Sequence, residues 1–386
     1  SFTIPMMKKI GYKPHFAGAV EAVASTGGMI MPPVMGILAF LMADFTGIPY
    51  IQICKHAIIP AILYYLGIYL MVHYEALKTG LKGLSSQDLP DVKKSLKEEI
   101  HLILPIFVLV FLLIKQYTPM YAVVWSCYAA IFVASWRRSS QMGWRKIIDA
   151  LEGGAKGSLM VATACATAGL MVGLIGVTGV GLKLSHSIID IVGGNVYLLL
   201  ILAAFVTLLL GASLPSTISY ILLIPLVIPA LIDMGISKLA SHLFVVYYAT
   251  LAFITPPEGL AFYAAASLAG APVMKTGATA TRLGIVAFII PFLFVFYPSL
   301  LFIGHPLTIA LNFITAIIGV FALAVGLEGY WYNFMKIPQR LMALAAAILL
   351  IKPGILTDVL GITLVGIVFF LQKRSQKLAL RMAENK

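Results

Sequence analysis

The sequence predicts an all-α polytopic membrane protein of two inverted repeats, built from re-entrant hairpins and transmembrane helices broken at Pro-Pro pairs. Three observations carry that expectation. Of 386 residues, 61% are hydrophobic and only 11% charged, more apolar surface than a water-soluble domain can hide. Apolar runs of spanning length, some needing their flanks, recur at 57–72, 102–114, 119–135, 157–177, 196–210, 283–303, 307–326 and 355–371. Finally, residues 3–36 lie on 227–260 without a gap: Ile4-Pro5 meets Ile228-Pro229, Gly11 meets Gly235, Thr26 meets Thr250, and Pro32-Pro33 meets Pro256-Pro257.

Taken in order, residues 1–55 are the end of a first repeat. "SFTIPMMKKIGY" reads as a hairpin arm already under way, and Pro14 opens a crossing that "TGG" (26–28) and Pro32-Pro33 interrupt. Segment 56–195 supplies connecting, scaffold-type helices with a Lys-rich cytoplasmic loop at 74–100. The second repeat, 196–303, comprises a hairpin at 196–233, a broken helix at 238–270 and an arm helix. "GASLPST" (211–217) interrupts that hairpin between two apolar arms. Its counterpart in the first repeat would precede Ser1, so the sequence predicts that the first copy is missing from this chain. Residues 304–386 form a C-terminal membrane module with no assigned role.

The net charge of +12 is a topology signal. Lys and Arg cluster at "KKIGYK" (8–13), from Lys78 to Lys97, at 137–138 and at "KRSQK" (373–377), with no aromatic-interleaved basic face for nucleic acid. Placing these clusters inside sends the first broken crossing outward and the second inward. Cys54, Cys127 and Cys165 belong to no metal or disulfide motif, and no Gly-rich phosphate loop is present, so neither a bound cofactor nor ATP hydrolysis is expected.

The breaks carry the chemistry. Proline has no amide hydrogen, so Pro256 and Pro257 free the carbonyls of Ala252 and Phe253, and Thr255 is pushed toward extended geometry. In the first copy the freed carbonyls are those of Gly28 and Met29, Met31 is the residue pushed, and "TGG" loosens the turn. Unpaired carbonyls beside hydroxyls form a neutral oxygen cage suited to a hard monovalent cation such as Na⁺. At the hairpin tip, a helix starting near Ser216 presents free amides to a carboxylate. Glu258 has three open readings: a proton site, a contact for a substrate cation, or a structural acceptor on a wet face. Glu21 and Asp44, within the first crossing, read as pairing or interfacial acids.

These residues resemble a known family. "SFTIPMMKKIGY…ASTGGMIMPPVMG" and "GASLPSTISY…LAFITPPEGLAFYAAASLAGAP" look like the large membrane subunit of TRAP transporters, most closely the fused permeases of the TAXI subgroup, over about 1–300. The resemblance implies an elevator-type transporter in a prokaryotic inner membrane. It also implies Na⁺-driven uptake of small carboxylates delivered by a periplasmic binding protein, with the missing N-terminal part of the permease as a further partner. On this resemblance the ion-binding residues are Ser25, Thr26, Gly27, Gly28, Met31, Gly211, Ala252 and Thr255. The substrate-binding residues are Ser213, Pro215, Ser216, Thr217, Thr250 and Glu258. Ala252 and Glu258 depart from the family's usual Gly and Val, which bears on the identity of the coupling ion. H⁺ is the alternative ion. A channel is a competing reading, which predicts no ion coupling. An intramembrane enzyme is another, and would require a catalytic pair within the spans.

Overall fold

Proline and glycine punctuate this chain, and helices fill the intervals. The computed structural model describes residues 2–83, 100–136, 143–351 and 354–384. In its first part, α1 (Thr3–Ile10) stops at the left-handed Gly11, and α2 (Pro14–Gly27) starts on a proline at its first position. After the break, α3 (Ile37–Thr46) stops at the left-handed Gly47, and α4 (Tyr50–Thr79) follows Pro49 and stops at Gly80. Proline at helix starts and glycine in the left-handed region past helix ends are the local rules at work.

The middle of the chain contains α5 (Leu104–Ile114), α6 (Pro119–Trp136), α7 (Trp144–Thr178) and α8 (Val180–Val192). A helical hairpin follows: α9 (Val196–Ser213), α10 (Ser216–Leu226) and α11 (Ile228–Asp233). The second broken helix is α12 (Lys238–Leu251), a 3-10 turn at Ala252–Ile254, and α13 (Leu260–Ala269). The remainder is α14 (Val273–Leu283), α15 (Ile285–Phe296), α16 (Pro306–Glu328), α17 (Ile337–Ile351) and α18 (Ile355–Glu384). Among the described residues the one β-type contact is an isolated bridge between Tyr330 and Phe334.

The all-α membrane character follows from these lengths. Tyr50–Thr79, Val273–Phe296, Pro306–Glu328 and Ile355–Lys377 are each long and apolar enough to cross a bilayer. Several expected boundaries move. Residues 74–79, expected in a loop, continue α4, whereas 84–99 of that loop and Arg137-Arg138 lie outside the described residues. The span expected at 283–303 begins instead at Val273 and ends at Phe296, because Tyr297 leaves the helix before Pro298. The "KRSQK" cluster is not a loop but part of α18.

The two broken helices pack antiparallel. α2 lies along α13 and α14, and α3 lies along α12. Gly18, near the start of α2, faces Ala265 and Ala269 near the end of α13, where an added Cβ would stand a tight 3.1 Å from Ala265 O and 3.2 Å from Ala269 Cβ. Each half also caps the other. Lys8 Nζ donates to Ala269 O at 2.9 Å, at the end of α13, and Lys238 Nζ donates to Thr46 O at 2.9 Å, at the end of α3. A cation on terminal carbonyls satisfies orphan acceptors and complements the helix dipole. Replacing Lys8 or Lys238 by Met is expected to cost about 0.5 kcal/mol each, at the weak end because both are exposed. The two losses should add, since the sites are separate; thermal unfolding in detergent reads this.

α12 sits at the centre, buried from Leu239 to Leu251. Its polar side chains are mostly paired: Ser241 with Ser237 O, Thr250 with Val246 O, Tyr248 with Phe288 O, and His242 with the Tyr220 hydroxyl of α10 at 2.8 Å.

Candidate functional site

At the first break the end of α2 tightens. Gly28 N, Met29 N and Ile30 N donate to Ser25 O, Thr26 O and Gly27 O, each at 3.1 Å, a three-residue spacing in place of four. Past the prolines, Met35 N reaches Met31 O at 3.1 Å and Gly36 N reaches Met29 O at 2.9 Å. The Met29 carbonyl, expected to be free, is therefore taken by a returning amide. Gly28 O receives no backbone amide among the described residues. The Tyr50 hydroxyl covers Val34 O at 2.5 Å and Pro33 O at 3.2 Å.

The second break repeats these devices with different atoms. Thr255 is extended (φ −105°, ψ 123°), as its place before proline requires. Its amide donates to Ala252 O at 3.2 Å and its hydroxyl to Leu251 O at 2.8 Å, so the Ala252 carbonyl is also not free. Ile254 O accepts from Thr281 Oγ1 at 3.1 Å, and Pro257 O from Tyr263 OH at 3.0 Å. Phe253 O has prolines three and four residues on and no helical partner. Both Pro-Pro peptide bonds are cis.

The hairpin tip meets the second break through Gly211. A Cβ there would stand 2.7 Å from Ala252 Cβ, so only glycine lets α9 lie this close. Leu214 and Pro215 are extended, and α10 begins at the buried Ser216, which leaves its first amides without helical acceptors. The Ser213 side chain lies outside the described residues. Ser219 Oγ closes the tip, with Leu210 O at 3.2 Å and Leu214 O and Pro215 O at 3.5 and 3.3 Å. A cavity of about 450 Å³ opens between α9 and the break, lined by Phe205, Leu208, Leu209, Ala212, Thr255, Pro256, Pro257 and Glu258.

The predicted residues thus separate. Thr255 and Glu258 face one cavity, with Gly211 and Ala252 packed behind it. Thr250 is buried with its hydroxyl on Val246 O, and Pro215, Ser216 and Thr217 sit at the tip without lining that cavity among the described residues. At the first break, Ser25 is exposed and donates to Glu21 Oε1 at 3.2 Å, and Glu21 also accepts from Thr3. Thr26 is 4% exposed, and its hydroxyl has no hydrogen-bond partner. The Thr26 hydroxyl is thus an orphaned buried oxygen, two residues in sequence before the exposed Gly28, whose carbonyl lacks a backbone amide.

Several hydroxyls escaped the sequence reading, Tyr50 and Tyr263 at the breaks among them. Tyr64 and Tyr65 of α4 donate to Val23 O (2.5 Å) and Ala24 O (2.9 Å), sealing the last full turn of α2. Ser219 and Thr281 seal the hairpin tip and the second break. In an apolar run such as "ILYYLG" a tyrosine counts as one more bulky residue, and nothing local says whose carbonyl it reaches.

A family model described as "Tripartite ATP-independent periplasmic transporter, DctM component" matches residues 1–309. The chain is 21% identical over 281 residues to an isethionate TRAP transporter permease of Oleidesulfovibrio alaskensis, covering 71% of this chain and 43% of the relative. It is 23% identical over 299 residues to the sialic acid TRAP transporter large permease of Vibrio cholerae, covering 75% and 66%. It is 22% identical over 281 residues to the C4-dicarboxylate TRAP transporter large permease of Pseudomonas aeruginosa, covering 72% and 64%. The chain therefore spans less than two thirds of the length of these relatives.

Proposed function

Because the chain belongs to the tripartite ATP-independent periplasmic transporter family, as a large permease of the DctM type, we propose that it works in ion-coupled uptake of a small organic anion. A periplasmic binding protein delivers that anion to the inner membrane, and Na⁺ is the coupling ion. The observation that carries this reading is the pair of antiparallel helix breaks, one of which holds the buried, orphaned Thr26 hydroxyl two residues in sequence before the Gly28 carbonyl, which receives no backbone amide. Supporting it are the reciprocal lysine caps and the tyrosine hydroxyls on the second-proline carbonyls, Pro33 O and Pro257 O, which fit inverted repeats. The hairpin 196–233 is then re-entrant, and an elevator-type movement carries the breaks across the bilayer. The helices beyond residue 309 correspond to the extra module of TAXI-type fused permeases. The relatives' named substrates (isethionate, sialic acid and C4-dicarboxylates) share an acidic group, and the free amides at the start of α10 suit such a group.

A proton-coupled variant has its own observation: Glu21 and Glu258 place one carboxylate beside each break. Uptake by the full-length permease in proteoliposomes, with its binding protein and an imposed Na⁺ or H⁺ gradient, separates the readings. Uptake driven by Na⁺ alone is expected. Drive by H⁺ alone transfers the role to the carboxylates, and indifference to both leaves a channel. Within this assay, Thr26→Val is expected to raise the Na⁺ concentration for half-maximal uptake roughly tenfold or more, the loss of one ligand worth over about 1.4 kcal/mol. The same variant should unfold no earlier than wild type, because its hydroxyl bonds to nothing in the protein. Unchanged Na⁺ activation would count against the cage.

A further inference from the structure

A second cavity, of about 480 Å³, lies away from both breaks, where α4 meets the connector before α16 and the start of α16 itself. Lys55, Ile58 and Ile62 form one stripe of α4, spaced by three and four residues. Phe302, Pro306 and Phe313 face them from the connector and α16. Ile58 and Ile62 are 38% and 40% exposed, so the groove opens to the surroundings of the helices, which are lipid. From Lys55 to Ile62 it runs about 10 Å along the helix axis, roughly two thirds of one leaflet's hydrocarbon.

Lys55 alone gives this apolar groove a charge at one end. It forms no ion pair with a carboxylate among the described residues, whose ion pairs involve Lys78, Lys156 and Arg282. The ring of the neighbouring His56 is turned onto Leu301 O and steadies the connector. A lysine on a lipid-facing stripe lays its methylenes on apolar surface and lifts its ammonium to headgroup depth, where the available counter-charge is lipid phosphate.

We infer that this groove binds one anionic phospholipid, its phosphate on the Lys55 ammonium and one acyl chain between Ile58, Ile62 and Phe313. A free anion would gain nothing from the apolar walls, and a zwitterionic lipid would answer the lysine charge only in part.

The test reconstitutes the full chain into vesicles of equal parts phosphatidylcholine and phosphatidylglycerol, extracts it, and counts retained lipids by native mass spectrometry. Wild type is expected to keep one phosphatidylglycerol in preference to phosphatidylcholine. Lys55→Gln should lower that preference about fivefold, the ratio corresponding to one lysine at the membrane surface, and Lys55→Arg should keep it. Ile58→Trp with Ile62→Trp fills the groove while sparing the charge, and should release the lipid as well. Any of three results would overturn the proposal: an unchanged preference in Lys55→Gln, full retention in the filled groove, or displacement of the lipid by inorganic phosphate.

Discussion

Glu328→Gln is expected to destabilise the protein by about 3 kcal/mol, the low end of what breaking a buried ion pair costs. Glu328 ends α16 with its side chain 0% exposed. Its Oε1 lies 3.2 Å from Arg282 Nη2 on α14, and its Oε2 lies 3.8 Å from Lys78 Nζ on α4, which is also 3.5 Å from Glu75. Neither oxygen makes an aligned hydrogen bond, so the interaction is Coulombic. A carboxylate at the negative end of a helix is unfavourable by itself. It is held because Lys78 and Arg282 face it, and because Arg340 satisfies the carbonyls of Gly326 and Leu327 at 3.1 Å each. Glutamine keeps the volume but leaves Arg282 without its carboxylate and Lys78 with Glu75 alone. Arg282 and Lys78 are 38% and 28% exposed and can turn toward water, which keeps the loss at the low end. Thermal unfolding in detergent measures it. Arg282→Met combined with Glu328→Leu should recover most of the loss, since an apolar pair replaces a buried ion pair at little cost. A single variant as stable as wild type would mean that the cluster contributes nothing.

Gly27→Ala is expected to cost about 3 kcal/mol, the upper end for forcing a methyl group into a packed interior, and to abolish Na⁺-dependent uptake. A Cβ at Gly27 would lie 2.2 Å from Tyr64 Cε1 and 2.9 Å from the Tyr65 hydroxyl. Neither ring is free to retreat, because Tyr64 is buried and donates to Val23 O while Tyr65 donates to Ala24 O. Moving them unseals the turn that carries Thr26. The neighbouring Gly28 is the control. Its φ of −59° and ψ of −26° suit alanine, and its Cβ would meet only Ser25 O, at 3.2 Å. Gly28→Ala should therefore lose less than about 1 kcal/mol. Equal effects at the two positions, in unfolding and in uptake, would show that flexibility of the turn, rather than room for Tyr64, is what the glycines provide.

That contrast marks how far local reasoning reached. The "TGG" stretch reads in sequence as a loosened turn, yet neither Gly27 nor Gly28 takes a positive φ, and what Gly27 supplies is an absent side chain under a ring 37 residues away in sequence. The extended Thr255 was legible, because the clash of a proline with the residue before it needs no third partner. The open carbonyls were legible only by half. Of the four expected, Ala252 and Met29 are bonded to Thr255 N and Gly36 N, and Gly28 and Phe253 keep none of the helical pattern. The substrate set at "GASLPST" scattered for a related reason, since whether a tip residue faces a cavity depends on how α9 and α12 meet at Gly211.

By itself, then, the sequence determined what is local or periodic: a helical chain of spanning lengths, its stops at glycine and proline, and two breaks at Pro-Pro. Each of these rests on a missing amide, a missing Cβ or an apolar run, and those act within one turn of where they are written. The tertiary structure alone decided which freed atoms stay open. It also decided that Lys8 and Lys238 cap each other's halves, and that Glu75, Lys78 and Arg282 gather around the buried Glu328 carboxylate. Those outcomes depend on packing between segments up to 261 residues apart in sequence, where burial turns an ordinary side chain into a required partner.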